Sequence, residues 1–294
     1  MIRELMSQGL MVQGITGRQG RMETEWMLES GTKVCAGVTP GRAGELVGDV
    51  PIFDSVREAA QATDVRVSMN YVPASLVVES LYEAVDAGLK LVILSAENVP
   101  RHGFARLLEH ARRNETRVIG PNSQGIVVPG IGRWGCPGGD DPWQRFAPGK
   151  VAIVSRSGGL ASEMGMLLKD WGFGTSVQIS IGGSNLVGTD LVQALTLVEK
   201  DEQTDAVVMV GEPSGTQETE VANAVAVGAL KLPIVAFIPG RAVDGFPRSL
   251  PFGHAPRGGG GGSSAAQKIA VLQQAGVYVA RNLKQIRQGL DNVL

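Results

Sequence analysis

Gly9-Leu10-Met11-Val12-Gln13-Gly14-Ile15-Thr16-Gly17-Arg18-Gln19-Gly20 is the stretch on which the fold turns. An apolar run of strand length meets three glycines spaced GxxGxxG, and a helical pattern follows from about Arg21 to Ser30. Such a turn aims backbone N–H groups and the positive end of a helix dipole at one point, an arrangement that suits a phosphate. Glycine turns also join strands to helices with no ligand, so the stretch decides architecture before it decides activity.

Outward from it, short apolar runs alternate with helical patterns, the mark of a parallel α/β sheet. Strands are expected over 34–38, 51–53, 65–69, 89–94 and 117–119. Helices are expected from Ser55, as N-cap, through Gln61, and over 73–88 and 103–114. The span from Val128 to Lys150 is rich in Gly and Pro, carries Trp134 and Trp143, and has no clear period. It reads as a connection. The alternation then resumes, with strands over 150–154, 176–180, 206–210, 233–238 and 277–279. Helices lie between and after them over 160–171, 190–199, 219–230, 268–275 and 282–293. Three units follow: 1–127, a connection over 128–149, and 150–294.

Composition removes several classes. The 294 residues carry a net charge of −2, with 43% hydrophobic, 19% charged and 5% aromatic residues. That is a globular balance. It lacks the cationic surplus of a nucleic-acid binder and the aromatic platforms for stacking bases. Cys35 and Cys136 are too few for a disulfide framework and sit in no zinc spacing, so reduced thiols in the cytoplasm and no metal site are expected. No apolar run approaches ~20 residues, and the Met1-Ile2-Arg3-Glu4-Leu5 start carries an acid, so neither a membrane span nor a secretory signal is expected.

Chemistry concentrates in the second half. His254, in Phe252-Gly253-His254-Ala255, precedes Gly258-Gly259-Gly260-Gly261-Gly262-Ser263-Ser264, and a helical pattern begins at Ala265. An imidazole beside bare N–H groups is the equipment of phosphoryl transfer; a solvated glycine loop beside a surface histidine fits the same residues. His102 and His110, on or beside a helix, read as surface residues. Glu212, in Gly211-Glu212-Pro213-Ser214-Gly215, follows a buried strand and is the natural partner for His254, because a carboxylate on one ring nitrogen frees the other to attack phosphorus. Alternatively it is a solvated loop carboxylate. Ser157-Gly158-Gly159 opens a helix after a strand, offering amides to an anion or simply capping the helix. After the second strand Gly37-Val38-Thr39-Pro40-Gly41-Arg42 has no ribose-binding acid, while Arg42 suits an additional phosphate such as the 3′-phosphate of coenzyme A. A nicotinamide oxidoreductase is therefore disfavoured.

Taken in order, Gly14–Gly20, Gly37–Arg42, Tyr71-Val72-Pro73, Gly120-Pro121-Asn122, Ser155-Arg156-Ser157-Gly158, Gly182-Gly183, Gly211-Glu212 and Gly253-His254-Ala255 resemble the α subunit of succinyl-CoA synthetase and its NDP-forming acyl-CoA ligase relatives, over nearly the whole chain. The resemblance implies an N-terminal Rossmann-like CoA-binding domain and a C-terminal flavodoxin-like ligase domain. It implies that Thr16, Gly17, Arg18, Gln19, Arg42, Ser95, Ala96 and Glu97 lie on coenzyme A. It implies that His254 is transiently phosphorylated, oriented by Glu212, and that Ser157, Gly158, Gly159 and Ser162 face the phosphoryl group or the acid. It further implies an ATP-grasp β subunit holding ATP or GTP with Mg2+, and an acid–thiol ligase active as a hetero-oligomer. The departures point away from a plain succinate enzyme. Ser162 replaces a substrate-side tyrosine, and Gly158-Gly159 is closer to citrate-using relatives such as ATP-citrate lyase and citryl-CoA synthetase. The loop before His254 is longer, with Arg241, Arg248 and Arg257 around it. The expected acid is a short di- or tricarboxylate or similar anion; a non-catalytic CoA-binding module is the competing reading.

Overall fold

A computed structural model describes residues 1–213, 215–240 and 264–294. His254, the arginines around it and the polyglycine run lie outside the described residues, as does Ser214.

The first half opens with a short helix, α1 (Ile2–Gln8), and then builds a sheet from β1 (Leu10–Gln13), β2 (Val34–Val38), β3 (Leu46–Val47), β4 (Val50–Phe53), β5 (Val67–Asn70), β6 (Leu91–Leu94) and β7 (Arg117–Ile119). The order is β3-β4-β2-β1-β5-β6-β7, parallel except for β3 against β4. Its helices are α2 (Arg18–Glu29), α3 (Val56–Thr63), α4 (Val77–Asp86) and α5 (Arg101–Arg113). Strands β1, β5 and β6 are buried at every position, as apolar runs covered on both faces must be.

The second sheet comprises β8 (Gly125–Val128), β9 (Gly132–Gly135), β10 (Pro148–Ser155), β11 (Thr175–Ser180), β12 (Ala206–Val210), β13 (Ile234–Phe237) and β14 (Tyr278–Ala280), in the order β14-β13-β12-β10-β11-β8-β9. The last two pairings in that order, β11 with β8 and β8 with β9, are antiparallel and the rest parallel. Its helices are α6 (Gly158–Asp170), α7 (Leu191–Glu199), α8 (Gln217–Ala226), α9 (Ala265–Gln274) and α10 (Leu283–Val293). Ser157, Asp190, Ser264 and Asn282 each cap a helix through a side-chain oxygen, and α7 and α9 have full capping boxes.

The stretch expected to be a connection is in part sheet. β8 pairs with β11 through Gln178↔Val127 and Ile179↔Ile126, and β9 folds back on β8. This hairpin also holds the halves together. Arg133, fully buried, donates from Nη2 to the carbonyl of Trp26 at 2.7 Å, and Thr32 exchanges two 2.9 Å hydrogen bonds with the Arg133 backbone. Trp134, Ile126 and Val154 share one apolar cluster with Leu10, Val12 and Met27. At the far side, Arg3 of α1 meets Asp201 at 2.9 Å and the Ser176 carbonyl at 2.8 Å.

Candidate active site

In both sheets the parallel strands are added first to one side and then to the other of a central strand, β1 in the first and β10 in the second. Between β1 and β5, and again around β10, neighbouring loops part at the carboxyl ends and leave a crevice, the usual ligand position in such sheets.

At the first crevice the glycine turn is fixed by contacts that explain its spacing. Gly14 has φ 76°, a left-handed value that suits glycine. Gly20 stands so close to it that a Cβ there would lie 2.3 Å from the Gly14 carbonyl oxygen. Gly17 is the N-cap of α2, with its amide on that same oxygen at 3.1 Å. The turn faces a cavity of about 710 Å³ walled by Thr16–Gly20, Val38, Thr39, Pro40, Tyr71, Val72, Pro73 and Leu76. That volume lies within the range that takes cofactors. Thr16 Oγ1 donates to Thr39 Oγ1 at 3.2 Å across the mouth. Gln19 is held by two partners, Glu23 Oε1 at 2.9 Å and Ser95 Oγ at 3.2 Å. The structure thus brings Thr16, Gly17, Arg18, Gln19 and Ser95 together. Ala96 stands apart from the cavity wall and accepts from the amide of Asn122 at 2.9 Å, and Glu97 is also outside it. Arg42 lies beyond the wall, its exposed guanidinium on Glu45 at 2.8 Å.

Beneath Gln19 lies a network that sequence reasoning passed over. Glu23 is buried and receives the Tyr71 hydroxyl at 2.5 Å. Burial first, and the Glu23 charge second, push the Tyr71 phenol well up, and the same causes push the Cys136 thiol up to about 12. Both groups are neutral under physiological conditions. A larger cavity of about 860 Å³ lies among α1, α5 and α7, with Lys90, Thr116 and Arg117 in its wall. These residues stand at the amino ends of β6 and β7, away from both crevices.

At the second crevice one side chain spans the loops. Arg156, directly after β10, is 3% exposed. Its Nη2 donates to the carbonyls of Gly183 at 3.2 Å and Ser184 at 2.9 Å, in the loop after β11, and its Nη1 forms an ion pair with Glu212, after β12. Glu212 is itself only 6% exposed, so the solvated-carboxylate alternative does not hold. The next residue, Ser157, caps α6 by accepting from the Leu160 amide at 3.4 Å. A Cβ on Gly158 would strike the Gln124 side chain at 2.3 Å, whereas Gly159 faces open space. The first turn of α6 is thus backed by Gln124 on one side and, among the described residues, open on the other. Ser162, further along α6, is buried and accepts from the Gly138 amide at 3.0 Å, so its hydroxyl meets the loop after β9. Arg156 brings Glu212 to the start of α6, beside Ser157; in the sequence it stands only as part of the Ser155-Arg156-Ser157-Gly158 motif. His102 and His110 belong to α5, where His110 Nε2 meets Asp86 at 2.7 Å. Among the described residues no group of three or more His, Cys, Asp or Glu could hold a metal ion, and no helix is long and apolar enough to cross a membrane.

Residues 7–98 match the CoA binding domain family and residues 154–285 the CoA-ligase family. Over 288 residues the chain is 39% identical to an alpha subunit of ADP-forming succinate–CoA ligase from Archaeoglobus fulgidus, covering 97% of this chain and 96% of that one. The chain belongs to the alpha-subunit family of ADP-forming succinate–CoA ligases. Members of this family differ in acid: a subunit of ADP-forming sulfoacetate-CoA ligase from Acholeplasma sp is 33% identical over 96% of this chain and 94% of its own length. Among solved structures, ATP citrate lyase from Methanosaeta concilii in complex with (3S)-citryl-CoA superposes with a TM-score of 0.86 at 25% identity. That match covers 98% of this chain and 50% of the larger one, so the succinate–CoA ligase alpha fold spans about half of that chain. As an alpha subunit of this family the chain has a Rossmann-like CoA-binding domain and a flavodoxin-like ligase domain, and is an acid–thiol ligase component.

Proposed function

We propose that this chain is the α subunit of a nucleotide-dependent carboxylate–CoA ligase that works through phosphohistidine at His254. The observation that carries the reading is the guanidinium of Arg156, which ties the buried Glu212 carboxylate to the loop after β11, one residue before the capped start of α6. An acid and an anion-binding helix tip are therefore held side by side before any ligand arrives.

In this reading a nucleoside triphosphate, bound with Mg2+ on an ATP-grasp β subunit, gives its γ-phosphoryl group to a ring nitrogen of His254 and leaves as the diphosphate. Glu212 accepts from the other ring nitrogen and fixes the tautomer. The amides at Ser157-Gly158-Gly159 hold the phosphoryl oxygens, with Ser162 steadying the loop after β9 through Gly138. The phosphoryl group then passes to the acid, giving an acyl phosphate. The thiol of coenzyme A attacks the acyl carbon and phosphate departs. Coenzyme A would lie along Thr16, Gly17, Arg18 and Gln19, with Ser95, Ala96 and Glu97 beyond; Arg42 would leave Glu45 to meet a phosphate. The CoA-binding unit would end where β8 joins the second sheet. Two free cysteines suit a cytoplasmic setting. The open space at Gly159 and the likeness to ATP citrate lyase favour an acid bulkier than succinate, citrate among the candidates.

The test is labelling with [γ-³²P]ATP in the complex with a co-expressed ATP-grasp subunit. Acid-labile, base-stable label is expected, absent from His254→Ala. Full label on that variant ends the proposal. Coenzyme A binding without label or turnover on any di- or tricarboxylate would instead indicate a non-catalytic module.

A further inference from the structure

Behind Glu212 lies a second ion pair, between Glu218 of α8 and Lys268 of α9. Both side chains are fully buried, and Lys268 Nζ stands 2.6 Å from Glu218 Oε2. The pair also grips the Glu212 backbone on both sides of its Cα. Glu218 Oε1 accepts the Glu212 amide hydrogen at 2.9 Å, and Lys268 Nζ donates to the Glu212 carbonyl at 2.9 Å. Gly211 makes this approach possible: a Cβ there would lie 2.5 Å from Glu218 Oε1.

Burying a carboxylate and an ammonium costs several kcal/mol per ion, and apolar residues of similar volume often serve stability as well or better. What apolar residues could not do is hold one residue's backbone by both its N–H and its C=O. We infer that Glu218 and Lys268 are positioning residues: they fix the backbone of Glu212, and so the direction in which its carboxylate meets His254. Lys268 sits in the first turn of the helix that follows the histidine stretch, so the same pair ties the exit of that stretch to the acid it must face. The inference rests on the phosphohistidine reading above.

The experiment replaces the pair by apolar residues, Glu218→Leu with Lys268→Met, in the α–β complex, and measures the rate of labelling from [γ-³²P]ATP and the thermal midpoint. A misplacement of about 1 Å at a reacting centre costs on the order of 100-fold, and a slowing of that order is expected with coenzyme A affinity unchanged. The same replacement is then made in a Glu212→Ala background. Because Ala keeps the peptide but has no carboxylate, the replacement should slow labelling no further there. Wild-type labelling rates in the apolar variant would overturn the inference, as would a loss of equal size in the Glu212→Ala background, which would mark a merely structural role. Should the apolar variant fail to fold, Lys268→Met alone, which removes the donor to the Glu212 carbonyl and leaves Glu218 free to take up a proton, takes its place under the same two criteria. Absence of label in the wild-type complex would instead sink the phosphohistidine reading itself.

Discussion

The two sheets end in sites made of different materials. After β1 the crevice is main chain and space: glycines, an N-cap amide and a cavity of about 710 Å³, with Arg18 its only basic wall residue among those described. After β10 and β12 it is buried charge: Arg156 against Glu212, and Lys268 against Glu218, all under 7% exposed. The first site has room and lets its ligand bring the charge. The second is electrostatically closed before anything binds, the condition under which dipoles and charges stabilise a transferring group without reorganising. A coenzyme that must come and go suits the first; a phosphoryl group that must be caught and passed on suits the second.

The contrast breaks most visibly at Arg156. Arg156→Met takes from the buried Glu212 the guanidinium that pairs with it, and losing one member of a buried pair costs about 3–5 kcal/mol. Urea unfolding should show a loss of that size, with much of it restored by adding Glu212→Gln. A fully stable Arg156→Met protein would mean that the second site is as open as the first. The next largest effect belongs to the glycine turn. Gly20→Ala drives a methyl group into the Gly14 carbonyl, which cannot yield without reshaping the turn. Titration calorimetry with coenzyme A should show a loss of about 100-fold, ~2.7 kcal/mol. Labelling of the complex from ATP should be unaffected, since in the proposed reaction that step precedes the coenzyme.

The same difference decided what could be read in the sequence. A site made of glycine turns announces itself, because φ > 0 and close backbone approach leave few other residues. Gly14, Gly17 and Gly20 pointed to the cavity that is found. A site made of buried charge hides, because Arg156, Glu212, Glu218 and Lys268 look like surface residues until their partners are brought to them. A signal was present in Lys268: it shares the buried face of α9 with Ala265 and Leu272, a spacing meant for apolar residues. The α/β alternation was legible because buried parallel strands are continuous apolar runs. The hairpin β8–β9 was not, since Gly132-Arg133-Trp134-Gly135 has neither alternation nor an apolar run; it is a strand because Arg133 and Trp134 are buried between the two halves. The short α1 escaped for want of length and of a capping side chain.

Tyr71 tests whether the first site also depends on anything buried. Tyr71→Phe removes the hydrogen bond to Glu23 Oε2 but leaves Gln19 on Oε1. A hydrogen bond to a charged group is worth about 1.5–3 kcal/mol, and a stability loss near the lower end is expected by urea titration. Coenzyme A affinity should hold, because the Gln19 amide keeps both partners. If affinity falls with stability, the crevice after β1 is supported by charge as well as by main chain, and the contrast narrows.

The smallest effect is a local one, outside both crevices, at the tie between α1 and the second sheet. Burial alone would raise the Asp201 carboxyl, but the Arg3 hydrogen bond and charge, with the Gln203 amide and the Thr204 hydroxyl, together outweigh it and hold the group below the usual carboxylate range. A carboxyl depressed in the folded state contributes stability that is complete above its unfolded value of about 3.9 and is lost as pH falls through the folded value. Hydrogen-exchange protection of α1 should therefore be level from neutral pH down to about 5. It should fall only in the acid region below, before α6 loses protection, and Asp201→Asn should lower it at neutral pH and abolish that acid-side fall. Were α1 to loosen already near pH 6, a histidine rather than Asp201 would govern the tie. Neither His102 nor His110 reaches Arg3 or Asp201 among the hydrogen bonds and ion pairs of the described residues. The acid-side transition is the one the geometry requires.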